Sequence, residues 1–452
     1  MVAVITPPGT GGIAALRISG RRCLTYFKRH FRPVTPESTQ PKPFVMRYGH
    51  FVDRTGDVID EVMAVYMPAG KSYTGQDQVE IFCHGGRQAV KRIQEQIVAA
   101  GARVAEPGEF TKLAFLAGRI DLTRAEAVAE VIEANTDTSY RTARDHLLGT
   151  YQQHISGLRE SLIDIIAEVE ASVDYPEEGI EVAKRDEMIA QVNVIIADIK
   201  ELVDTYRGGR IIEEGFKIVI GGRPNAGKSS LFNLLLRQER ALVTPTPGTT
   251  RDYLSEWIEL GGFKVNIIDT AGLRSTGGAV ERAGQKSARR IISEADLLLW
   301  MVDLSRKSWR GWLAEDLGEL AGHHIMLLGN KIDLVSNADR LVSELKKQDI
   351  SPISCKTGRG VTAVKQAVVS LISENMPDLT SGVVVTSARH RQKLSAASKA
   401  LKSARIKIQT DDTPELTAFD LRQAVSAMDE ITGKIYTEEI LGRIFSKFCI
   451  GK

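Results

Sequence analysis

Phe216-Lys-Ile-Val-Ile-Gly-Gly-Arg-Pro-Asn-Ala-Gly-Lys-Ser-Ser230 joins a strand pattern to a helix pattern through a glycine-rich turn. Phe216 to Ile220 is an apolar run, and Ser230 to Leu236 reads as the start of a helix. Between them, Gly222 to Ser229 fits G-x-x-x-x-G-K-S in the context a phosphate loop requires. Glycines let backbone N–H groups turn inward around a β-phosphate, and the helix N-terminus adds positive potential. Lys228 is placed to reach β- and γ-phosphates, and Ser229 to offer its hydroxyl to Mg²⁺. Strands and helices then alternate to about Ile372, the pattern of an α/β domain with a parallel sheet.

Two later segments extend the reading. Asp269-Thr270-Ala271-Gly272 ends the strand Val265 to Ile268. Asp269 is expected to hold Mg²⁺ through water, and the Gly272 N–H to meet the γ-phosphate, so that its loss frees the following loop. Read alone, Asp-x-x-Gly is an ordinary turn. Asn330-Lys331-Ile-Asp333 follows the apolar strand Ile325 to Leu328. The Asp333 carboxylate can accept from N1–H and the 2-amino group of guanine. Adenine offers neither donor, which would leave a buried carboxylate unpaired, so the element selects GTP over ATP. Ser354, Cys355 and Lys356 follow at a distance suited to supporting the base. In Pro247-Gly248-Thr249-Thr250-Arg251-Asp252, Thr250 is expected to close a second Mg²⁺ position. Where many small GTPases place a water-orienting glutamine, this chain has Leu273. Arg251, Arg274 and Arg282 read equally well as solvated loop charges. Another group must therefore orient water, and another positive charge must act in the transition state.

The chain of 452 residues has length for two to four domains. Its formal charge of +2 neither requires nor excludes a nucleic-acid partner. Cys23, Cys83, Cys355 and Cys449 form no paired spacing, which argues against a disulfide framework or zinc site and fits a reducing compartment. The start shows no signal or transit peptide pattern, so a cytoplasmic protein is expected. The longest apolar run, Ala295 to Leu304, is interrupted by Asp296 and Asp303 and reads as a buried strand.

Residues 1–113 mix strand patterns (Ile13 to Ile18, Glu61 to Met67, Val79 to Cys83) with a helix over Gln88 to Ala100, an α+β domain. Residues 114–213 are helical: Glu126 to Ala134, a single helix over Tyr140 to Val173, and another over Val182 to Tyr206. The texture changes near Gly208-Gly209. Residues 214–375 carry the α/β pattern, and residues 376–452 return to helices at Ser387 to Ile408, Leu416 to Asp429 and Thr437 to Phe448. The simplest architecture inserts the P-loop α/β domain into one helical domain.

With these motifs in hand, the chain resembles the MnmE (TrmE) family of tRNA modification GTPases over essentially its whole length. The most specific marks lie outside the nucleotide motifs: Thr6-Pro-Pro-Gly9, Leu16-Arg-Ile-Ser-Gly20, Tyr73-Thr-Gly75, His84-Gly-Gly86, Pro107-Gly-Glu-Phe110, Leu441-Gly-Arg-Ile-Phe445 and Cys449-Ile-Gly-Lys452. The resemblance implies a multidomain protein with an N-terminal folate-binding domain that dimerises, a helical bundle domain and an inserted G domain. It implies work with the flavoprotein MnmG, as a heterotetramer, on C5 of the wobble uridine of certain tRNAs. An aminomethyl or carboxymethylaminomethyl group is installed there, with a one-carbon unit from a tetrahydrofolate derivative (5-formyl- or methylene-tetrahydrofolate).

The resemblance also implies the missing groups. Two G domains of a homodimer meet in the GTP state, and K⁺ at their interface replaces an arginine finger. The K⁺ ligands fall on Asn225, Thr244, Thr246 and Thr249. GTP contacts fall on Asn225, Ala226, Gly227, Lys228, Ser229 and Ser230; on Thr244, Pro245, Thr246, Pro247, Gly248, Thr249 and Thr250; on Asp269, Thr270, Ala271 and Gly272; and on Asn330, Lys331, Asp333, Ser354, Cys355 and Lys356. Glu281 matches a catalytic glutamate that orients water indirectly. Folate contacts fall on Arg17, Glu80, Arg119 and Lys452, with Glu80 suited to the amide and amino edge of a pterin.

A K⁺-dependent GTPase in tRNA modification is thus one reading. A regulatory ribosome-assembly GTPase without covalent chemistry is the other. The residues of the N-terminal part and the Cys449-Ile-Gly-Lys452 tail favour the first.

Overall fold

The computed structural model describes residues 1–35, 41–174, 182–241, 254–269, 290–336, 338–376, 383–410 and 412–452. The chain forms two compact units. One comprises Met1–Ala129, His146–Arg185 and Ser403–Lys452; the other comprises Glu130–Asp145 and Asp186–Lys402.

The first unit holds an antiparallel sheet ordered β1-β2-β6-β5-β4-β3. Its strands are β1 (Val2–Val4), β2 (Gly11–Ser19), β3 (Phe31–Pro33), β4 (Arg47–Val52), β5 (Val58–Met67) and β6 (Gln78–Gly85). Alternation sorts each strand into two faces. Leu16, Ile18, Val62, Ala64, Val79 and Ile81 turn inward to Phe27, Ile93 and Ile97 of helices Cys23–His30 and Arg87–Ala99. The other face carries a cross-strand row of Ala15, Phe82, Met63 and Tyr48, and it also carries Arg17 opposite Glu80. Ile13, Tyr48 and Met63 are exposed on it.

Elsewhere in this unit, helix Thr150–Asp174 packs along helix Pro414–Thr432, tied by Arg159 Nε donating to Asp429 Oδ1 at 2.5 Å. The chain's last residues return to the sheet region. Ile450 bridges Pro107, and Phe110 N donates to the Lys452 carbonyl at 3.1 Å.

Periodicity predicts one helix over Tyr140 to Val173, but there are two, Asp137–Leu148 and Thr150–Asp174. Gly149, at φ +94°, turns the chain between them in a conformation that costs glycine little. The change of texture near Gly208-Gly209 ends nothing, since helix Val182–Glu214 runs through it. Without a side chain at Gly209, the Val385 carbonyl packs against that helix.

The second unit is built on a sheet ordered β13-β12-β11-β7-β10-β9-β8. Its strands are β7 (Phe216–Gly222), β8 (Arg240–Ala241), β9 (Leu254–Leu260), β10 (Phe263–Asp269), β11 (Leu297–Asp303), β12 (Ile325–Asn330) and β13 (Ile350–Pro352). β7 runs parallel to β10 and β11, β11 parallel to β12, and β12 parallel to β13, while β9 and β8 form an antiparallel edge. β7 is covered on both faces, which explains its unbroken apolar run. Ile218 and Ile220 meet Leu231 and Leu235 on one face, and Val219 meets Ile268 and Leu298 on the other. Each such burial contributes about 1.5–3 kcal/mol, so β7 is a firm base for the loop that follows it. Strand order reverses at β7, with β10 on one side and β11 on the other. Ligands of open α/β sheets bind in the crevice at the carboxyl ends of strands at this switch point. No helix among the described residues is long and apolar enough to cross a membrane.

Candidate functional site

The glycine-rich loop leaves the carboxyl end of β7 and enters helix Lys228–Gln238. Three of its residues have left-handed φ values: Gly222 (+134°), Asn225 (+61°) and Gly227 (+106°). A Cβ on Gly227 would strike the Asn330 amide, so both conformation and space require glycine there. The helix has no side-chain N-cap. Beside it lies a cavity of about 560 Å³ lined by Pro224, Asn225, Gly227, Lys228, Ser229, Ser230 and Lys331. Ala226 is buried under the loop.

The charged and hydroxyl groups here are held by one another. Lys228 Nζ donates to the carbonyls of Gly222 at 3.0 Å and Arg223 at 3.1 Å. Ser229 Oγ donates to Asp269 Oδ2 at 2.7 Å, and Asp269 is fully buried at the end of β10. A hydroxyl backed by a carboxylate is a hard-oxygen donor set of the kind Mg²⁺ takes together with phosphate oxygens and water. No group of three or more His, Cys, Asp or Glu side chains suited to a metal occurs among the described residues.

Asn330 joins the two halves of the site. Its Nδ2 donates to the Ala226 carbonyl at 2.7 Å, and its Oδ1 accepts from Cys355 N at 3.0 Å. One buried amide thus ties the phosphate loop to the Ser354-Cys355-Lys356 segment. Lys331, at φ +67°, pairs with Asp303 at 2.7 Å. Ser354 Oγ donates to Asp333 Oδ1 at 2.6 Å. Asp333 is exposed rather than buried, which corrects the sequence expectation; only a base lying over it would desolvate the carboxylate. Lys356 is exposed as well. Burial, then the Asp333 charge, push the Cys355 thiol up to about 11, so it is no reactive thiolate at neutral pH. Cys355 therefore contributes its backbone.

Thr244, Pro245, Thr246, Pro247, Gly248, Thr249 and Thr250, with Thr270, Ala271, Gly272, Leu273 and Glu281, lie outside the described residues. So do Arg251, Arg274 and Arg282.

A second polar cluster lies in the first unit. Arg17 and Glu80 face each other across β2 and β6, with Nε to Oε1 at 2.9 Å and each side chain 15% exposed. The Arg17 guanidinium lies 5.3 Å from the ring centres of both Tyr73 and Phe110, within cation–π range. Gln78 Nε2 donates to Glu80 Oε1 at 3.1 Å, while the buried Gln78 Oε1 has no hydrogen-bond partner among the described residues. The Lys452 carbonyl accepts from Phe110 N at 3.1 Å, and Lys452 makes no described contact with Arg17 or Glu80. Arg119 Nη1 donates to the Gly70 carbonyl at 2.6 Å, on the loop that carries Tyr73, and makes no described contact with Arg17 or Glu80.

Sequence reasoning missed Asp303, Gln78 and the ring contacts of Tyr73 and Phe110. Asp303 had a signal, as a carboxylate breaking an apolar strand. Gln78 lies two residues from Glu80 on the same face of a strand.

Comparison with known proteins completes the description. The model of the MnmE helical domain matches residues 122–449, and that of the GTP-binding protein TrmE N-terminus matches residues 1–119. The tRNA modification GTPase MnmE of Aquifex aeolicus (strain VF5) is 39% identical over 456 residues, spanning 100% of this chain and 99% of that protein. The proteins of the same name from Chlorobaculum tepidum and Symbiobacterium thermophilum are each 40% identical, spanning 100% of this chain and 97% and 99% of theirs. The chain, a multidomain protein with an α+β sheet, long helices and a phosphate-loop α/β sheet, belongs to the MnmE family of tRNA modification GTPases.

Proposed function

We propose that the chain is a K⁺-dependent GTP hydrolase that works as a homodimer, with an MnmG-like flavoprotein, on C5 of the wobble uridine of certain tRNAs. The coarser statement, a GTP hydrolase acting in tRNA modification, follows from its family. One observation carries the nucleotide reading: Asn330 binds the Ala226 carbonyl and the Cys355 N–H at once, so phosphate-side and base-side loops form one site.

In this reading the loop from Asn225 to Ser230 cradles the phosphates, and Lys228 moves from the Gly222 and Arg223 carbonyls to phosphate oxygens. Ser229 and Thr250 would hold Mg²⁺, with Asp269 behind Ser229, and the ion neutralises phosphate charge. Asp333 accepts from guanine once the base covers it, and Ser354 holds the carboxylate in place. Asn225, Thr244, Thr246 and Thr249 would hold K⁺, and Glu281 would orient water indirectly.

In the first unit, Glu80 and the unpartnered Gln78 Oε1 are acceptors that suit the donor edge of a pterin, and Arg17 supplies positive charge. We assign a tetrahydrofolate derivative to this cluster, with Lys452 and Arg119 toward its acidic part. The exposed apolar side chains on the sheet face that carries Arg17 support a homodimer surface, since Ile13, Tyr48 and Met63 are 62%, 50% and 41% exposed. The layout is proposed as 1–113 folate-binding, 114–213 and 376–452 helical, and 214–375 G domain, in the cytoplasm.

GTP and ATP turnover measured in matched K⁺ and Na⁺ buffers tests the reading. GTP should be hydrolysed on the order of tenfold faster in K⁺, because the cation supplies charge stabilisation an arginine would otherwise give. ATP should be a poor substrate in both. Equal rates in the two salts would remove the K⁺ assignment, and equal rates for the two nucleotides would remove the base assignment.

A further inference from the structure

We propose that Arg223 and Asp316 form a clamp that sets the phosphate loop for its nucleotide, making Arg223 a positioning residue that acts through Lys228. This rests on the GTP-binding reading above.

Arg223 is the first residue after β7. Its carbonyl accepts from Lys228 Nζ at 3.1 Å. Its Nε donates to Asp316 Oδ1 at 3.0 Å, and its Nη2 to Glu315 Oε2 at 2.6 Å, both on helix Trp309–Glu319. The guanidinium lies 5.3 Å from the Trp312 ring centre. Asp316 is the better-placed partner. Its side chain is 15% exposed, against 71% for Glu315, and its Oδ2 accepts from Trp300 Nε1 at 3.1 Å. Trp300 stands on β11 opposite Gly221 of β7. The contacts therefore close a ring, from β7 through Arg223, Asp316 and Trp300 to β11 and back to β7.

The loop needs such a ring. Asn225 holds a left-handed φ that asparagine adopts at some cost, and Lys228 bonds to the two carbonyls that begin the loop. From the other end, Asn330 holds the Ala226 carbonyl. When the ammonium turns to a phosphate, the carbonyls of Gly222 and Arg223 lose that donor, while the Arg223 carbonyl keeps the Ala226 N–H at 3.3 Å. The clamp keeps Arg223 in place through that exchange, so the loop need not rearrange. An Arg fork meets a carboxylate with fixed geometry that a Lys does not reproduce.

The test uses the full chain with GTP and GDP as probes. Arg223→Ala should weaken binding of both by about fivefold and raise KM to match, with kcat nearly unchanged, since Lys228 meets phosphate in ground and transition states alike. Asp316→Asn, which keeps the side-chain volume, should do the same, and the double variant should be no worse than either single one. Arg223→Lys should recover part of the affinity. Thermal midpoints taken without nucleotide separate stability from positioning. If the variants melt earlier but bind as the wild type does, or if the two losses simply add, the clamp is wrong. A wild type that binds neither nucleotide overturns the GTP reading and the clamp with it; a wild type that binds while Arg223→Ala and Asp316→Asn match it overturns the clamp alone.

Discussion

The nucleotide cavity of the second unit and the Arg17–Glu80 cluster of the first are both charged sites, yet they are built on opposite plans. Around the cavity, backbone does most of the shaping: strand ends, left-handed turns and a helix start set the positions of Lys228, Ser229 and Asn330. Its cation rests on neutral carbonyls, which a phosphate can readily outcompete. In the first unit, side chains do the shaping. Arg17 is neutralised by Glu80 and flanked by Tyr73 and Phe110, residues far apart in the chain. A cation held by carbonyls is poised to move, whereas one held by a carboxylate is a fixed wall. In the proposed function, the difference separates a site that exchanges phosphates from one that holds a ligand's shape.

The strongest way to break this contrast is to remove the mobile cation. Lys228→Ala should lower GTP affinity by roughly a hundredfold, because a charge-assisted contact of about 1.5–3 kcal/mol is lost and the phosphate charge is left less compensated. Stability without nucleotide should change less than GTP affinity does, since the described bonds given up are to the neutral carbonyls of Gly222 and Arg223. Titration with a fluorescent GTP analogue, beside a thermal melt, checks both halves. A large loss of stability with intact affinity would mean that Lys228 is part of the frame.

The fixed pair should respond in the reverse sense. Glu80→Gln keeps shape and removes the charge, leaving the Arg17 guanidinium beside two rings with no carboxylate described near it. Breaking a fully buried pair costs about 3–5 kcal/mol, and at this partial exposure about 1–2 kcal/mol is expected. Binding of a reduced folate, read by calorimetry, should weaken about tenfold as an acceptor is lost. A stable variant with unchanged folate binding would make the pair an ordinary surface contact.

The same contrast decides what could be read from the sequence. The phosphate loop is legible because its chemistry is contiguous, with Gly222, Gly227, Lys228 and Ser229 in one turn. Of the strands, β2, β5, β6, β7, β10, β11 and β12 are legible as apolar or alternating runs, whereas β1, β3, β4, β8, β9 and β13 leave no such signal in the reading. The helix break at Gly149 is not, because apolar spacing continues across it and one backbone angle makes the difference. Nor is the Arg17 cluster legible from its residues alone: register pairs Arg17 with Glu80, and the fold brings the rings of Tyr73 and Phe110 to Arg17. The exposure of Asp333 was misjudged for a related reason, since a motif gives a residue's partner but not how much solvent reaches it.

The smallest effect sharpens the comparison most, because it tests a fixed pair beside the mobile cation. Lys331 bonds to Asp303 at 2.7 Å, and the Asp303 side chain is only 9% exposed. Burial pushes the Asp303 carboxyl up, but the Lys331 ammonium and the Ser305 hydroxyl and N–H pull harder, and the balance sits below the usual carboxylate range. A carboxyl held low in the folded state stabilises only where it is ionised. Its contribution is complete above the ordinary aspartate value near 3.9 and is lost only as pH falls through the lower folded value. Asp303→Asn should therefore weaken GTP binding by roughly threefold, through a Lys331 stem that is no longer held along the cavity. That ratio to the wild type should be the same at about pH 6 and about pH 8, where the carboxyl stays charged. Paired titrations at the two pH values decide the matter. A ratio that changes between them would assign the effect to another titrating group, and a loss as large as that of Lys228→Ala would erase the distinction between the moving cation and the fixed one.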